Sequence, residues 1–239
     1  DTSGTIAISL INEKHMSQRH RAPPLFDWIT ALSPPTAYSL CALLKPHIRP
    51  GMVICDPMCG IGTIPIEGAL TFPECLFLGG EMNEDSLRQA AANVAWVRGH
   101  SPLNCTEVTD HGAGIIRGKC LLNVELVRWD AGRMAVRDGS VDVIICDMPF
   151  GMKHGNYRVN RRLYPIFFEE MIRILTQDGK VLLLTLEMKL VRKTLAAASK
   201  SGHGGGELYE HSSLPVIIGG YKTRVFDIRK RGVGVESAA

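Results

Sequence analysis

A chain of 239 residues with 45% hydrophobic and 21% charged residues is long enough for a sizeable core and has the make-up of an ordinary globular protein. Its formal net charge of +3 is too small to argue for nucleic acid by itself, and no apolar run approaches the roughly 18 residues that span a bilayer. It opens on Asp1 with no signal-peptide pattern, which reads as a fragment of a longer protein.

The first fifty residues hold the strand-like "TIAISLIN" and the basic "KHMSQRHRAPP", with Arg19, His20 and Arg21. "LSPPTAYSLCALLKP" follows, a helix started by proline. Residues 1–50 are expected to form an arm packed on a main domain spanning 51–232, with 233–239 a loose tail. "MVICD", ending at Asp56, is a buried strand, and "GTIPIEGALTF" a helix that tolerates Pro65 in its first turn. "CLFLGGE", ending at Glu81, is the second strand, and "NEDSLRQAAANVAWV" a helix capped by Asn83. A polar stretch, Gly99 to Lys119, precedes the third strand, "NVELVRWD", which ends at Asp130. "VDVIICD" supplies the fourth, ending at Asp147. Next come the helix "LYPIFFEEMIRIL", the strand "GKVLLLTL", the helix "EMKLVRKTLAAASK", and two strands joined at Gly219-Gly220. This alternation predicts an α/β chain with a parallel, doubly wound sheet that finishes in an antiparallel pair.

The seven cysteines, Cys41, Cys55, Cys59, Cys75, Cys105, Cys120 and Cys146, form no CxxC pair. An odd, scattered set reads as reduced core thiols in an intracellular protein, with no metal site.

Open α/β sheets bind ligands beyond the carboxyl ends of their strands. The first strand delivers "DPMCGIGT", with Asp56, Gly60, Gly62 and Thr63. Pro65 stands where a dinucleotide fingerprint needs its third glycine, and no GK[ST] follows for a P-loop. What remains is the acid-x-x-x-G-x-G-T loop typical of S-adenosylmethionine sites; an ordinary tight turn is the bland alternative. Glu81 can accept hydrogen bonds from both hydroxyls of a ribose, and Asp130 or its neighbouring amide can hold an adenine edge. Four strand-end acids in succession, with Asp147, are a poor match to chance.

"DMPF", Asp147 to Phe150, is a variant of the [DNS]-P-P-[YFW] signature of enzymes that methylate planar amino groups. An exocyclic amine is a poor nucleophile because its lone pair is delocalised into the ring. Asp147 and the Met148 carbonyl would accept its two N–H bonds, Pro149 would set the turn, and Phe150 would stack on the base.

"LSPPTAYSL", "DPMCGIGTIPIEGA", "GGEMNEDSL", "VRWDA", "DMPFG" and "YKTRVFDIRK", in that order, resemble the methyltransferase domain of THUMP-domain RNA guanosine N2-methyltransferases. The similarity runs from about Leu32 to Lys230, with most likeness to the branch associated with U6 small nuclear RNA. It implies a Rossmann-like class I fold with a seven-stranded, mostly parallel sheet, S-adenosyl-L-methionine as cofactor, and methylation of guanosine N2 in a structured RNA, U6 or tRNA. The cofactor contacts it implies are Pro34, Thr36, Asp56, Met58, Cys59, Gly60, Gly62, Thr63, Glu81, Met82, Asn83, Asp130, Ala131 and Asp147. It further implies a small zinc-binding Trm112-type activator subunit and, through U6, a nuclear location. The apolar Val124, Leu126 and Val127 are expected at an exposed sheet edge that such a partner would cover. Lys153, His154, Arg158, Arg161 and Arg162 are either phosphate contacts or a solvated surface. An N6-adenine or protein-glutamine methyltransferase, and a non-catalytic RNA-binding module of the same fold, remain open on the residues alone.

Overall fold

The computed structural model describes residues 32–100, 107–109, 115–117, 122–149, 157–201 and 206–231. Its elements run α1 (Pro34–Leu44), β1 (Val53–Asp56), α2 (Thr63–Thr71), β2 (Leu76–Glu81), α3 (Glu84–His100), β3 (Glu107–Thr109) and β4 (Ile115–Arg117). They continue with β5 (Val124–Arg128), β6 (Val141–Asp147), α4 (Tyr157–Ile174), β7 (Leu175–Thr185), α5 (Met188–Ser201), β8 (Glu207–Ile218) and β9 (Tyr221–Arg231). "TIAISLIN", the basic segment, the residues from Phe150 to Asn156 and the tail lie outside the described residues.

Seven strands form one sheet in the order β5-β2-β1-β6-β7-β9-β8. The first five are parallel, and β9 runs antiparallel to both β7 and β8. This is the predicted fold class. Both faces are covered, which explains the near-continuous apolar strands. On β6, Ile144 and Cys146 pack with Tyr164, Phe167, Phe168 and Met171 of α4 and Val191 of α5. Val143 and Ile145 point the other way, into a core built by Leu40 and Leu44 of α1, Ile64 and Ile66 of α2, and Val94 and Val97 of α3. The helix α1 therefore packs on the main sheet.

The centre of the sheet joins distant segments: Ile54 pairs with Val143, and the Val53 N–H donates to Asp142 Oδ2 at 2.9 Å. Asn83 caps α3 as predicted, its Oδ1 accepting the Ser86 N–H at 2.9 Å. Gly80 is required by close approach: a Cβ there would lie 1.8 Å from the Trp129 ring.

Four local expectations change. The polar stretch 99–119 contains a two-stranded antiparallel ribbon, β3 with β4, too short to register as a period-two pattern. Strand β5 stops at Arg128, because Asp130 Oδ1 turns back to accept the Gly132 N–H at 2.8 Å. Helix α4 begins six residues before Leu163, through a polar run that reads as loop. Strand β5 is indeed a sheet edge, but its apolar side chains are not the exposed feature. Val124 is a buried core residue, Leu126 packs on the same core, and Val127 packs on the other. What the edge presents is backbone. Glu125 and Val127 bond toward β2, so alternation turns Val124, Leu126 and Arg128 outward. Arg98 covers part of this edge by donating to the Leu122 and Val124 carbonyls.

Candidate active site

The loop after β1 turns at Gly60 (φ +55) and Gly62 (φ +86), both in the left-handed region that glycine adopts without strain. Open space surrounds the Cα of Gly60, whereas Gly62 sits tightly against Ala90 of α3. Glu81 fixes this loop. Its Oε2 accepts the Gly60 N–H at 3.0 Å, and its Oε1 the Asn83 N–H at 2.7 Å. The Cys59 N–H donates to the Gly80 carbonyl at 2.8 Å. One carboxylate thus sets the spacing between the ends of β1 and β2, and each of its oxygens keeps a lone pair for a further donor.

Asp56 is buried, with Oδ1 accepting the Met58 N–H at 3.2 Å. Burial, reinforced by the charges of Asp147 and Glu81, pushes its carboxyl well above the ordinary range. Thr63, also buried, opens α2. Pro34 and Thr36 lie in the first turn of α1, where the Thr36 hydroxyl meets Ser33 Oγ at 2.8 Å; a turn later, burial, with smaller contributions from the charges of Glu67 and Asp56, raises the Cys41 thiol. Met82, directly after Glu81, is 66% exposed. An apolar side chain so presented beside a carboxylate with spare acceptors suits a flat heterocycle. Asp130 is exposed at the end of β5, and Ala131 is buried behind it. Trp129 belongs to the core; its Nε1 donates to the Pro57 carbonyl at 3.1 Å and ties the end of β5 to that of β1.

Asp147 stands at the carboxyl end of β6. Its Oδ1 is buried with no hydrogen-bond partner, and burial pushes its carboxyl up to about 7. An orphaned buried acceptor is costly, and a donor arriving at this one would relieve that cost. Met148 donates its N–H to the Leu184 carbonyl at 2.9 Å, and its side chain is fully buried. That packing explains an apolar methionine where the signature has proline. Phe150 lies outside the described residues.

Three groups escaped the sequence reading. Asn160, fully buried on α4, donates Nδ2–H to the Pro149 carbonyl at 3.2 Å, bracing the turn that follows Asp147. The Tyr164 hydroxyl and Thr185 Oγ1 meet at 2.8 Å, and Thr185 also accepts the Glu187 N–H, so the end of β7 is pinned to α4. An asparagine in an apparent loop and a tyrosine in an apolar stripe carry no signal of these partners. Asn160→Ala should leave the Pro149 carbonyl unpaired. A loss of about 1–3 kcal/mol in stability is expected, with turnover falling several-fold and cofactor affinity nearly unchanged, as thermal melts and single-turnover assays would show.

The cysteines among the described residues, Cys41, Cys55, Cys59, Cys75 and Cys146, are free and buried, as expected. No helix among the described residues is long and apolar enough to cross a membrane.

Comparison with known proteins places these strand ends in context. The mouse tRNA (guanine(6)-N(2))-methyltransferase THUMP3 is 33% identical over 96% of this chain and 41% of its own length. The mouse U6 snRNA (guanine-N(2))-methyltransferase THUMPD2 is 30% identical over 59% of this chain and 22% of its own length. The crystal structure of TrmN from Thermus thermophilus superposes with a TM-score of 0.64 at 26% identity, over 87% of this chain and 52% of that one. The chain thus spans less than half the length of these curated relatives. They are of the kind that the sequence motifs resembled, and the tRNA enzyme matches over more of the chain than the U6 enzyme. The profile of RMKL-like methyltransferase domains covers residues 21–203, including every strand end described above from β1 to β7, and the chain belongs to that family.

Proposed function

We propose that this domain is the catalytic part of an S-adenosylmethionine-dependent RNA methyltransferase that forms N2-methylguanosine in a structured small RNA, tRNA or U6. The observation that carries the reading is Asp147, a buried acceptor without a donor at the head of Asp147-Met148-Pro149. The names of the relatives supply the base and the RNA class.

The residues present fit the cofactor. Gly60 offers an open backbone, Glu81 two oxygens with spare lone pairs, Met82 an apolar surface, and Asp130 a strand-end acceptor. Bound there, S-adenosylmethionine supplies an electrophilic methyl group on a positively charged sulfur. The chain's own residues then prepare the amine. Asp147 accepts one N–H and the Met148 carbonyl the other, which favours a pyramidal nitrogen with its lone pair free. Phe150 stacks on the base. Asn160 holds the Pro149 carbonyl so that the turn keeps its shape. Once the nitrogen carries the methyl it is acidic, and its proton leaves late, to Asp147 or to water.

This role sets a pH dependence. The free Asp147 carboxyl titrates at about 7 and must be ionised to act as acceptor. Accordingly kcat/KM should rise with pH and level off above about 7. The limb on kcat should lie lower, because the bound amine donates to the ionised form. Stability moves the opposite way. The native carboxyl holds its proton more tightly than the unfolded one, so between about 4 and 7 the folded state binds more protons, and this contribution to stability falls as pH rises through that window. Parallel rate and melting profiles would check both signs.

The short β5 edge suits a partner strand. At the opposite edge, β8 carries an irregularity between Glu210 and Ser212 and an exposed proline, Pro215, in its middle, features that discourage strand addition. The outward Leu126 and Arg128 backbone has no such device. A Trm112-type subunit adding a strand at β5 fits this asymmetry, and the U6-type relative favours the nucleus. Co-expression with such a subunit should raise soluble yield. Because Leu126 is packed in the core, a charge there would unfold the domain rather than report on the partner.

The deciding experiment is transfer of tritiated methyl groups into RNA by the whole protein, followed by nucleoside mass spectrometry. N2-methylguanosine supports the reading; N6-methyladenosine, a methylated glutamine, or no transfer would each replace it.

A further inference from the structure

We propose that the outer half of the β8–β9 hairpin, with the first two turns of α5, is a docking surface for the RNA strand beside the target nucleotide. This rests on the RNA methyltransferase reading.

The sheet geometry places that surface. The last rung between β7 and β9 is Thr185 with Arg224, one residue past the Asp147–Leu184 rung. The β8–β9 ladder goes on for three more rungs, Val216–Thr223, Ile217–Lys222 and Ile218–Tyr221, before it turns at Gly219-Gly220. At roughly 3.3 Å per residue the tip projects about 10 Å beyond the carboxyl end of the sheet. Asp147 sits at the same end, two strands away. Adding the lateral spacing of about 4.8 Å per strand puts the tip about 15 Å from Asp147, a reach suited to nucleotides flanking the modified one.

The surface has the chemistry of a nucleic-acid contact. From His211 to Phe226 there is no acidic residue, while Lys222 and Arg224 are both present. Cross-strand pairing puts Lys222 and Arg224 on one face with Ile217 and Pro215. Helix α5 flanks that face. Arg192 lies over the Phe226 ring at 5.6 Å and binds Glu210, which in turn accepts from Ser213, the acceptor for Arg224. Lys189 and Lys193 are neighbours four residues apart on α5, Lys189 lies three residues before Arg192, and both lysines are exposed. Glu210 is thus engaged by Arg192, whereas Lys189, Lys193 and Lys222 have no acidic partner among the described residues. The tip also holds Ile217, 73% exposed on the Lys222 face, and Tyr221, 47% exposed, which pairs with Ile218 at the turn and so lies on the other face of the ladder. Large apolar and aromatic side chains at the end of a projecting ladder contribute nothing to the core. Beside three ammonium groups with no acidic partner among the described residues, Ile217 fits an RNA strand whose phosphates meet the lysines, and a strand that continues around the turn would set a base on Tyr221.

The test compares the whole protein with Lys189→Gln/Lys193→Gln/Lys222→Gln and, separately, Tyr221→Ala. The probes are unmodified transcripts of tRNA and of U6 RNA. Both variants should keep their melting temperature and S-adenosylmethionine affinity, since none of these side chains touches the core or the cofactor residues. The triple variant should bind RNA at least roughly tenfold more weakly and show a correspondingly raised KM. Its plot of log affinity against log salt should be shallower by about 2 to 3, the loss expected for three phosphate contacts. Tyr221→Ala should weaken binding roughly fivefold or more without altering the salt slope. Unchanged RNA affinity, KM and salt slope in folded, cofactor-binding variants would overturn the surface while leaving the enzyme reading intact; so would a loss confined to the binding of a protein partner. If the parent protein itself methylates neither RNA, the reading beneath the proposal fails and the surface falls with it.

Discussion

Asp147→Asn is expected to lower the single-turnover rate of methyl transfer by roughly 10²-fold or more while changing cofactor affinity little. The substitution keeps shape and one acceptor oxygen. It removes the charge that makes the acceptor strong, and it can present an NH₂ donor to an amine that also donates. It also removes a carboxylate that can take the late proton without help from solvent. A second signature separates this role from a structural one. The rise of kcat/KM toward pH 7 should vanish in the variant, and its melting temperature above pH 7 should be higher than that of the parent protein. An ionised carboxylate with one oxygen buried and unpartnered costs stability on the order of a few kcal/mol, and the amide has no charge to bury. Near-normal turnover in Asp147→Asn would reduce the end of β6 to a corner of the fold.

Glu81→Ala should weaken S-adenosylmethionine binding by at least 100-fold, measured by calorimetry. Two losses add. The ribose hydroxyls lose their acceptor, and the Gly60 and Asn83 N–H groups lose theirs. Hydrogen bonds to a charged group are worth about 1.5–3 kcal/mol each, and without them the glycine loop and the start of α3 are no longer set relative to each other. Glu81→Gln discriminates between the parts. Its single carbonyl oxygen can serve one N–H but not both, so an intermediate affinity is expected with a nearly normal melting temperature. If Glu81→Ala folds and binds the cofactor as tightly as before, the ribose assignment is wrong.

How far the residues alone reach is visible in particular elements. The strands β1, β2, β6 and β7 were legible because a strand covered on both faces must be apolar at nearly every position, and the terminal acids of β1, β2 and β6 follow directly. Glu81 is legible as a strand-end acid, but not as the clamp on Gly60, since that bond joins positions 21 apart and depends on how two strand ends align. Asn160 was missed for a similar reason: its run, "RVNRR", is polar, and only the burial of α4 against the sheet turns one asparagine inward. Val124, Leu126 and Val127 show the converse. Apolar residues on an edge strand read as an exposed stripe, yet an edge strand still buries both faces, and what it leaves open is the backbone, which has no letter in the sequence.

The pairing of β1 with β6 has a consequence for how the molecule comes into being. Ile54 must wait for Val143, 89 positions later, and closing so long a loop is entropically slow. On the ribosome, the glycine loop and Glu81 emerge well before their neighbour strand exists, leaving β1 as an unpaired apolar edge open to misassociation. The later half, β6-β7-β9-β8, is knit by nearer contacts and can form first once it is released. Chains cut short before Asp147 would accordingly be substrates for chaperones and proteases rather than weak enzymes, and the ability to recognise the cofactor would arise only once β6 and the strands beyond it have been made.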